Sequence, residues 1–279
     1  MVRTRYIFFF LAIICSAALF AQSSVVVYDR KSYLEIRTDL KDVSFLAKKY
    51  SGSEIPIHLQ LEILPDDSLK EDHFNLLSEI PLTFFRFNVW KKEGYYCAGL
   101  DKLQSIDSME LGGYSQVFLN DASKLKELTF MQLELFRQDS TDIKKATFPN
   151  LKKLNVTLSH IYDFSLLLDS LPQLKEFRMW KSSKFSLSSL ARVVKNGQLE
   201  EIGFYMTSFD TTDFNSAIIP KLKRISFSEI GNGIDLFNYE QFIRQNPSLE
   251  YLSVDSNSPD KELIAALREK FPNIKINTK

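Results

Sequence analysis

A chain of 279 residues that is 44% hydrophobic and 25% charged can bury a large core, and such a composition excludes disorder and low complexity. Its 35 basic side chains balance 35 acidic ones, which removes the electrostatic case for nucleic acid or an anionic membrane surface as partner.

The first element is a leader. Arg3 and Arg5 precede an apolar run from Tyr6 to Phe20, interrupted only by Cys15 and Ser16. The run is shorter than the roughly 20 residues a membrane span needs. Small residues at Ala18 and Ala21 close it, so residues 1–21 read as a cleavable secretory signal rather than an anchor. Cleavage after Ala21 would leave residues 22–279 as one domain without an integral membrane span, with 33 basic against 35 acidic residues. It would also remove Cys15, so that Cys97 remains as a single thiol and no intrachain disulfide is expected. A lipid-modified Cys15 is disfavoured by Ile14, which stands where a small residue is needed.

Beyond the leader one pattern recurs. Ser24 to Asp29 reads as a cap strand, and Tyr33-Leu-Glu-Ile-Arg37 alternates like a first unit. The clearest later copies are Leu151-Lys-Lys-Leu154-Asn-Val156, Leu174-Lys-Glu-Phe177-Arg-Met179, Leu199-Glu-Glu-Ile202-Gly-Phe204, Leu222-Lys-Arg-Ile225-Ser-Phe227 and Leu249-Glu-Tyr-Leu252-Ser-Val254. The last apolar residue of each unit falls at Leu61, Phe87, Leu111, Phe130, Val156, Met179, Phe204, Phe227 and Val254. Successive intervals are 23 to 27 residues, except for 19 between Leu111 and Phe130, where a tight return is expected in place of a helix. Phe271-Pro-Asn-Ile274-Lys-Ile276 begins another unit. A fixed period of this length marks a solenoid, in which each unit buries its apolar edge by stacking on its neighbours.

Each Leu-x-Leu core predicts a short strand with its apolar residues inward. Helical spacing predicts helices over Asp163 to Ser170, Asn238 to Gln245 and Pro259 to Lys270. Turns back into the strands are marked by Phe148-Pro-Asn, Leu171-Pro-Gln, Asn196-Gly-Gln, Ile219-Pro-Lys and Asn246-Pro-Ser.

From about residue 30 to the end the chain resembles the leucine-rich repeat family, in the style of exported bacterial, Bacteroidota-like members. The resemblance implies an α/β solenoid with a curved parallel sheet on its concave face and helices and loops on the convex one. The family pattern continues to a buried asparagine that ties neighbouring turns. Here only Asn257 fills that place, with Ser159, Ser182 and Thr207, or the apolar Leu133 and Ile230, standing in the others. Hydroxyls can bond neighbouring backbone and keep an irregular ladder.

No catalytic motif or cofactor signature is present: there is no phosphate loop, His-Glu-x-x-His, cysteine pair or nucleophile elbow. His58, His73 and His160 fall in different units, which points to packing or surface roles rather than a metal site. The informative surface is the concave sheet, where equivalent outward residues align in columns about 4.8 Å apart. The column after the last apolar residue reads Asn88, Gly112, Met131, Thr157, Trp180, Tyr205, Ser228 and Asp255; Asn155 and Arg178 belong to the middle column. Trp180 beside Tyr205, with Met131, Asn155 and Arg178 nearby, has the composition of a protein-binding hot spot. The expected function is therefore non-catalytic binding of a protein or peptide by an exported protein, periplasmic or secreted. Carbohydrate stacking on the aromatic pair, or a structural envelope role, is the alternative. Oligomeric state is not legible.

Overall fold

The computed structural model describes residues 25–63, 69–89, 99–112, 121–134, 146–157, 168–182, 185–194, 197–209, 217–230, 238–254 and 261–278. The leader, Cys97, Ser159, His160, Asp255 and Asn257 lie outside the described residues. Within them, twelve strands form one sheet: β1 (Val26–Asp29), β2 (Leu34–Asp39), β3 (Ile57–Ile63), β4 (Leu82–Val89), β5 (Ser108–Gly112), β6 (Phe130–Glu134), β8 (Lys153–Thr157), β10 (Glu176–Trp180), β11 (Glu201–Tyr205), β12 (Arg224–Ser228), β13 (Tyr251–Val254) and β14 (Lys275–Thr278). They pair in chain order, all parallel except β1, which turns back antiparallel on β2. A second, two-stranded sheet joins β7 (Ala146–Thr147) to β9 (Leu168–Ser170) behind them. This is a leucine-rich-repeat-like α/β solenoid, and the strand register establishes it.

Alternation along each strand sends two apolar residues inward per unit. Ile36, Leu59, Phe85, Met109, Met131, Leu154, Phe177, Ile202, Ile225 and Leu252 form one continuous, fully buried column. The opposite layer is made by α1 (Val43–Tyr50), α2 (Glu71–Leu77), α3 (Leu187–Val193), α4 (Tyr239–Gln245) and α5 (Lys261–Lys270), which bury residues such as Leu46, Phe74, Leu190, Phe242 and Leu267. Polar caps start two of these helices: Ser186 Oγ accepts from the Ser189 N–H at 3.2 Å, and Asn238 Oδ1 accepts from the Gln241 N–H at 2.9 Å. The N-terminal cap strand exists as expected. Beneath it the nearly buried Glu35 is held by Arg30 at 2.9 Å and Arg37 at 2.7 Å.

Four expectations are corrected. In the fifth unit, Leu111 aligns with Leu133 rather than Phe130, and Met109 aligns with Met131. The pattern Leu125-x-x-Leu128-x-Phe130 overlaps Leu128-x-x-Met131-x-Leu133 by three residues, and the second is the true copy. An odd shift reverses every face, so Met131 and Leu133 are buried while Phe130 and Gln132 look outward. Leu133 accordingly belongs to the strand core, not to the ladder position after it, and the short interval disappears. Next, the helix expected to Ser170 does not reach it. Leu168–Ser170 is strand β9, and Ser170 C=O accepts from the Phe148 N–H at 3.2 Å, an extended link to the preceding unit that helical backbone would not make. Residues 163–167 lie outside the described residues.

The ladder of tying side chains survives in altered form. Thr207 is fully buried, and its hydroxyl donates to Tyr205 C=O at 3.1 Å and Met179 C=O at 3.4 Å. A buried asparagine also ties two units, but from the end of α4. Asn246 Oδ1 accepts from the Ile219 N–H at 2.8 Å, and its amide nitrogen donates to Ala217 C=O at 3.2 Å and Phe242 C=O at 2.9 Å.

Candidate functional site

The outward columns of β10, β11 and β12 build a cleft of about 390 Å³ lined by Arg178, Trp180, Glu201, Gly203, Tyr205, Ser226 and Ser228. That volume lies within the range of small-ligand and side-chain pockets. Parallel pairing sets the geometry: Trp180 aligns with Tyr205 and Tyr205 with Ser228, while Arg178 aligns with Gly203 and Gly203 with Ser226. Gly203 therefore leaves the floor open between Arg178 and Ser226, the kind of use a strand glycine often marks.

Trp180 is 52% exposed, and its ring centroid lies 5.6 Å from that of Tyr205 at an interplanar angle of 52°. The Tyr205 hydroxyl donates to Glu229 Oε1 at 2.9 Å. That bond, with the carboxylate's charge and partial burial adding to it, holds the phenol above its ordinary titration range. On the other wall, Arg178 is drawn between two carboxylates, with Nε 2.5 Å from Glu176 Oε1 and Nη2 3.3 Å from Glu201 Oε1; Lys153 adds 3.1 Å to Glu176. The guanidinium is thereby stiffened rather than left to a ligand.

Of the five residues expected in the site, Arg178, Trp180 and Tyr205 come together. Asn155 aligns with Arg178 on β8 and lies one strand outside the cleft, its Oδ1 enclosed and accepting no hydrogen bond among the described residues. Met131 is not in the site at all: it is fully buried in the inner column, because the register of β6 is shifted by three. Glu134 takes its place beside Thr157.

Sequence reasoning missed the strand-end residues. Lys181, Met206 and Glu229 each follow the last residue of β10, β11 and β12 and carry φ of 52°, 50° and 49°. Left-handed backbone costs a residue with a Cβ about 1–2 kcal/mol, and such strain concentrates at functional sites. The turn is fixed from outside, since Lys181 N–H donates to Tyr205 C=O at 2.9 Å and Met206 N–H to Ser228 C=O at 3.0 Å. Met206 is 43% exposed. Three non-glycine residues 25 and 23 positions apart carry no signal for this conformation.

A second aromatic group occupies the open face of the first units. Tyr33 stacks on His58 at 3.6 Å and 17°, and His58 lies 5.3 Å from Phe84. Burial lowers the His58 pKa, against the opposing pull of Asp107 and Glu35.

Among the described residues no three His, Cys, Asp or Glu side chains stand together as a metal site, and no helix is long and apolar enough to cross a membrane. No family model and no curated protein matches the sequence. Among solved structures, a chain of the Toll–Spatzle complex of Drosophila matches 92% of this chain at 11% identity, with a TM-score of 0.37. The match covers 44% of that chain, so the present chain spans less than half its length.

Proposed function

We propose that the protein is a non-catalytic binding scaffold, exported by residues 1–21 to the periplasm or beyond the cell, that captures a protein or peptide partner on the open face of its sheet. The supporting observation is the Trp180–Tyr205 pair: two large rings at the ends of adjacent strands, one of them half exposed, over a cleft floored by Gly203. Exposed tryptophan and tyrosine at the centre of a concavity supply large contact area at low conformational cost. A sugar platform is less well supported, because a ring tilt of 52° does not offer one flat stacking surface.

The test is a crosslinking capture from the native envelope and medium, comparing the wild-type protein with a Trp180→Ala, Tyr205→Ala double variant of matched folded content. Loss of one specific protein from the variant supports this reading. Equal capture by both, or capture of glycan alone, rejects it.

A further inference from the structure

The strained strand ends are chemically uneven, and that unevenness points to a kind of guest. Glycine would relieve the left-handed backbone at Lys181, Met206 and Glu229, yet the chain keeps three long side chains there, in register, on successive units. Two of them flank Tyr205, one in sequence and one through its hydroxyl. We propose that Trp180, Tyr205, Met206 and Glu229 form a recognition site for a lysine or arginine side chain presented by the partner. This rests on the reading of the open face as a binding surface.

The charges favour a cation. The negative faces of two aromatic rings attract a positive head group, most strongly at tryptophan. Glu229 is exposed and its Oε1 accepts from the Tyr205 hydroxyl, which places a carboxylate beside the aromatic pair. An anionic guest would instead meet Glu176, Glu201 and Glu229, and the cleft's guanidinium, Arg178, is already drawn to the first two. Lys153 and Arg178 are drawn to Glu176 and Glu201, whereas Glu229 makes no ion pair among the described residues, so its carboxylate is the one open to a cation. Tilted by 52° at a centroid distance of 5.6 Å, the two rings present differently directed faces to one head group at the rim. The exposed Met206 thioether adds a polarisable surface for the aliphatic stem.

The test is a titration of the full chain with short soluble peptides identical but for one central residue, Lys, Arg, norleucine or Glu, followed through the indole N–H signal of Trp180. The Lys and Arg peptides are expected to bind about 3- to 30-fold more tightly than the norleucine peptide, the Glu peptide not at all, and added salt to weaken the first two. Glu229→Gln, an exposed and isosteric change, should weaken Lys binding several-fold. Met206→Gly should weaken it without lowering Tm, since it relieves backbone strain. Equal binding of norleucine and Lys, preference for Glu, no binding of any peptide, or unchanged affinity in both variants would overturn the assignment. Where partner capture still depends on Trp180 and Tyr205 but the peptide series is flat, the binding face stands and the cation site falls.

Discussion

Tyr205 and Glu229, on adjacent turns of the solenoid, are joined by a 2.9 Å hydrogen bond from phenol to carboxylate. The bond links the aromatic pair to a left-handed residue one unit on, so the strand-end rim behaves as a connected set rather than as scattered exposed side chains.

The phenol of Tyr205 is held above its ordinary range first by that bond. Replacing Glu229 with Gln removes the charge and is expected to bring the Tyr205 titration back toward the usual tyrosine value. An NMR titration of the tyrosine ring carbons would show this; an unmoved midpoint would mean that the bond does not persist in solution.

Lys181→Gly should leave stability unchanged or raise it by up to about 1 kcal/mol, since φ of 52° suits glycine. Lys181→Val should lower it by about 1–2 kcal/mol, as a β-branched residue is a genuine outlier there. Urea denaturation of the pair is the measurement, and equal midpoints would contradict the strained turn.

Met131→Ala should cost about 2–5 kcal/mol, because it empties a fully buried position. Glu134→Ala, on the outward face three residues on, should change stability by about 0.5 kcal/mol or less. The reverse order would return Met131 to the surface and restore the other register.

Burial against Tyr33 and Phe84 lowers the folded-state pKa of His58 below its unfolded value, with Asp107 and Glu35 opposing. The neutral ring's contribution is therefore present above the unfolded pKa, near 6.5, and is lost as pH falls through the folded one. His58→Phe should flatten the stability profile in that mildly acidic window. A profile identical to wild type would show that the stack does not govern the titration.

At Gly203 a Cβ would meet Ser226 Oγ at 3.4 Å and Arg178 Cγ at 3.6 Å, ordinary contact distances. Gly203→Ala should fold normally with stability unchanged or raised by about 0.5–1 kcal/mol, whereas Gly203→Leu should fill the cleft floor and abolish partner capture. Retained capture by the leucine variant would place the partner elsewhere.

The solenoid was legible because burial repeats: Leu154, Phe177, Ile202, Ile225 and Leu252 each sit two places before another inward residue, and stacking demands that spacing. Trp180 and Tyr205 followed from the same arithmetic. The fifth unit was ambiguous because Leu128 serves two overlapping copies of one motif, and only the pairing of Met131 with Met109 selects between them. The strand-end turns were invisible for a different reason. Left-handed backbone usually announces itself with glycine or asparagine, and here lysine, methionine and glutamate adopt it, the first two with backbone bonds to the next unit and the third with a side-chain bond from Tyr205. Glu229 could not be matched to Tyr205 without knowing that turn.

Within the twelve-stranded sheet, each strand from β3 to β13 bonds only to its two neighbours in the order of the chain. The position of the Trp180–Tyr205 rim along the sheet is thus set by how many units precede it, not by what they are. Adding one whole unit ahead of β10 would carry the rim about 4.8 Å further from the capped end and leave its internal distances intact. The three units that hold it are a transferable block, and lengthening the array is a way of changing reach without changing what is grasped.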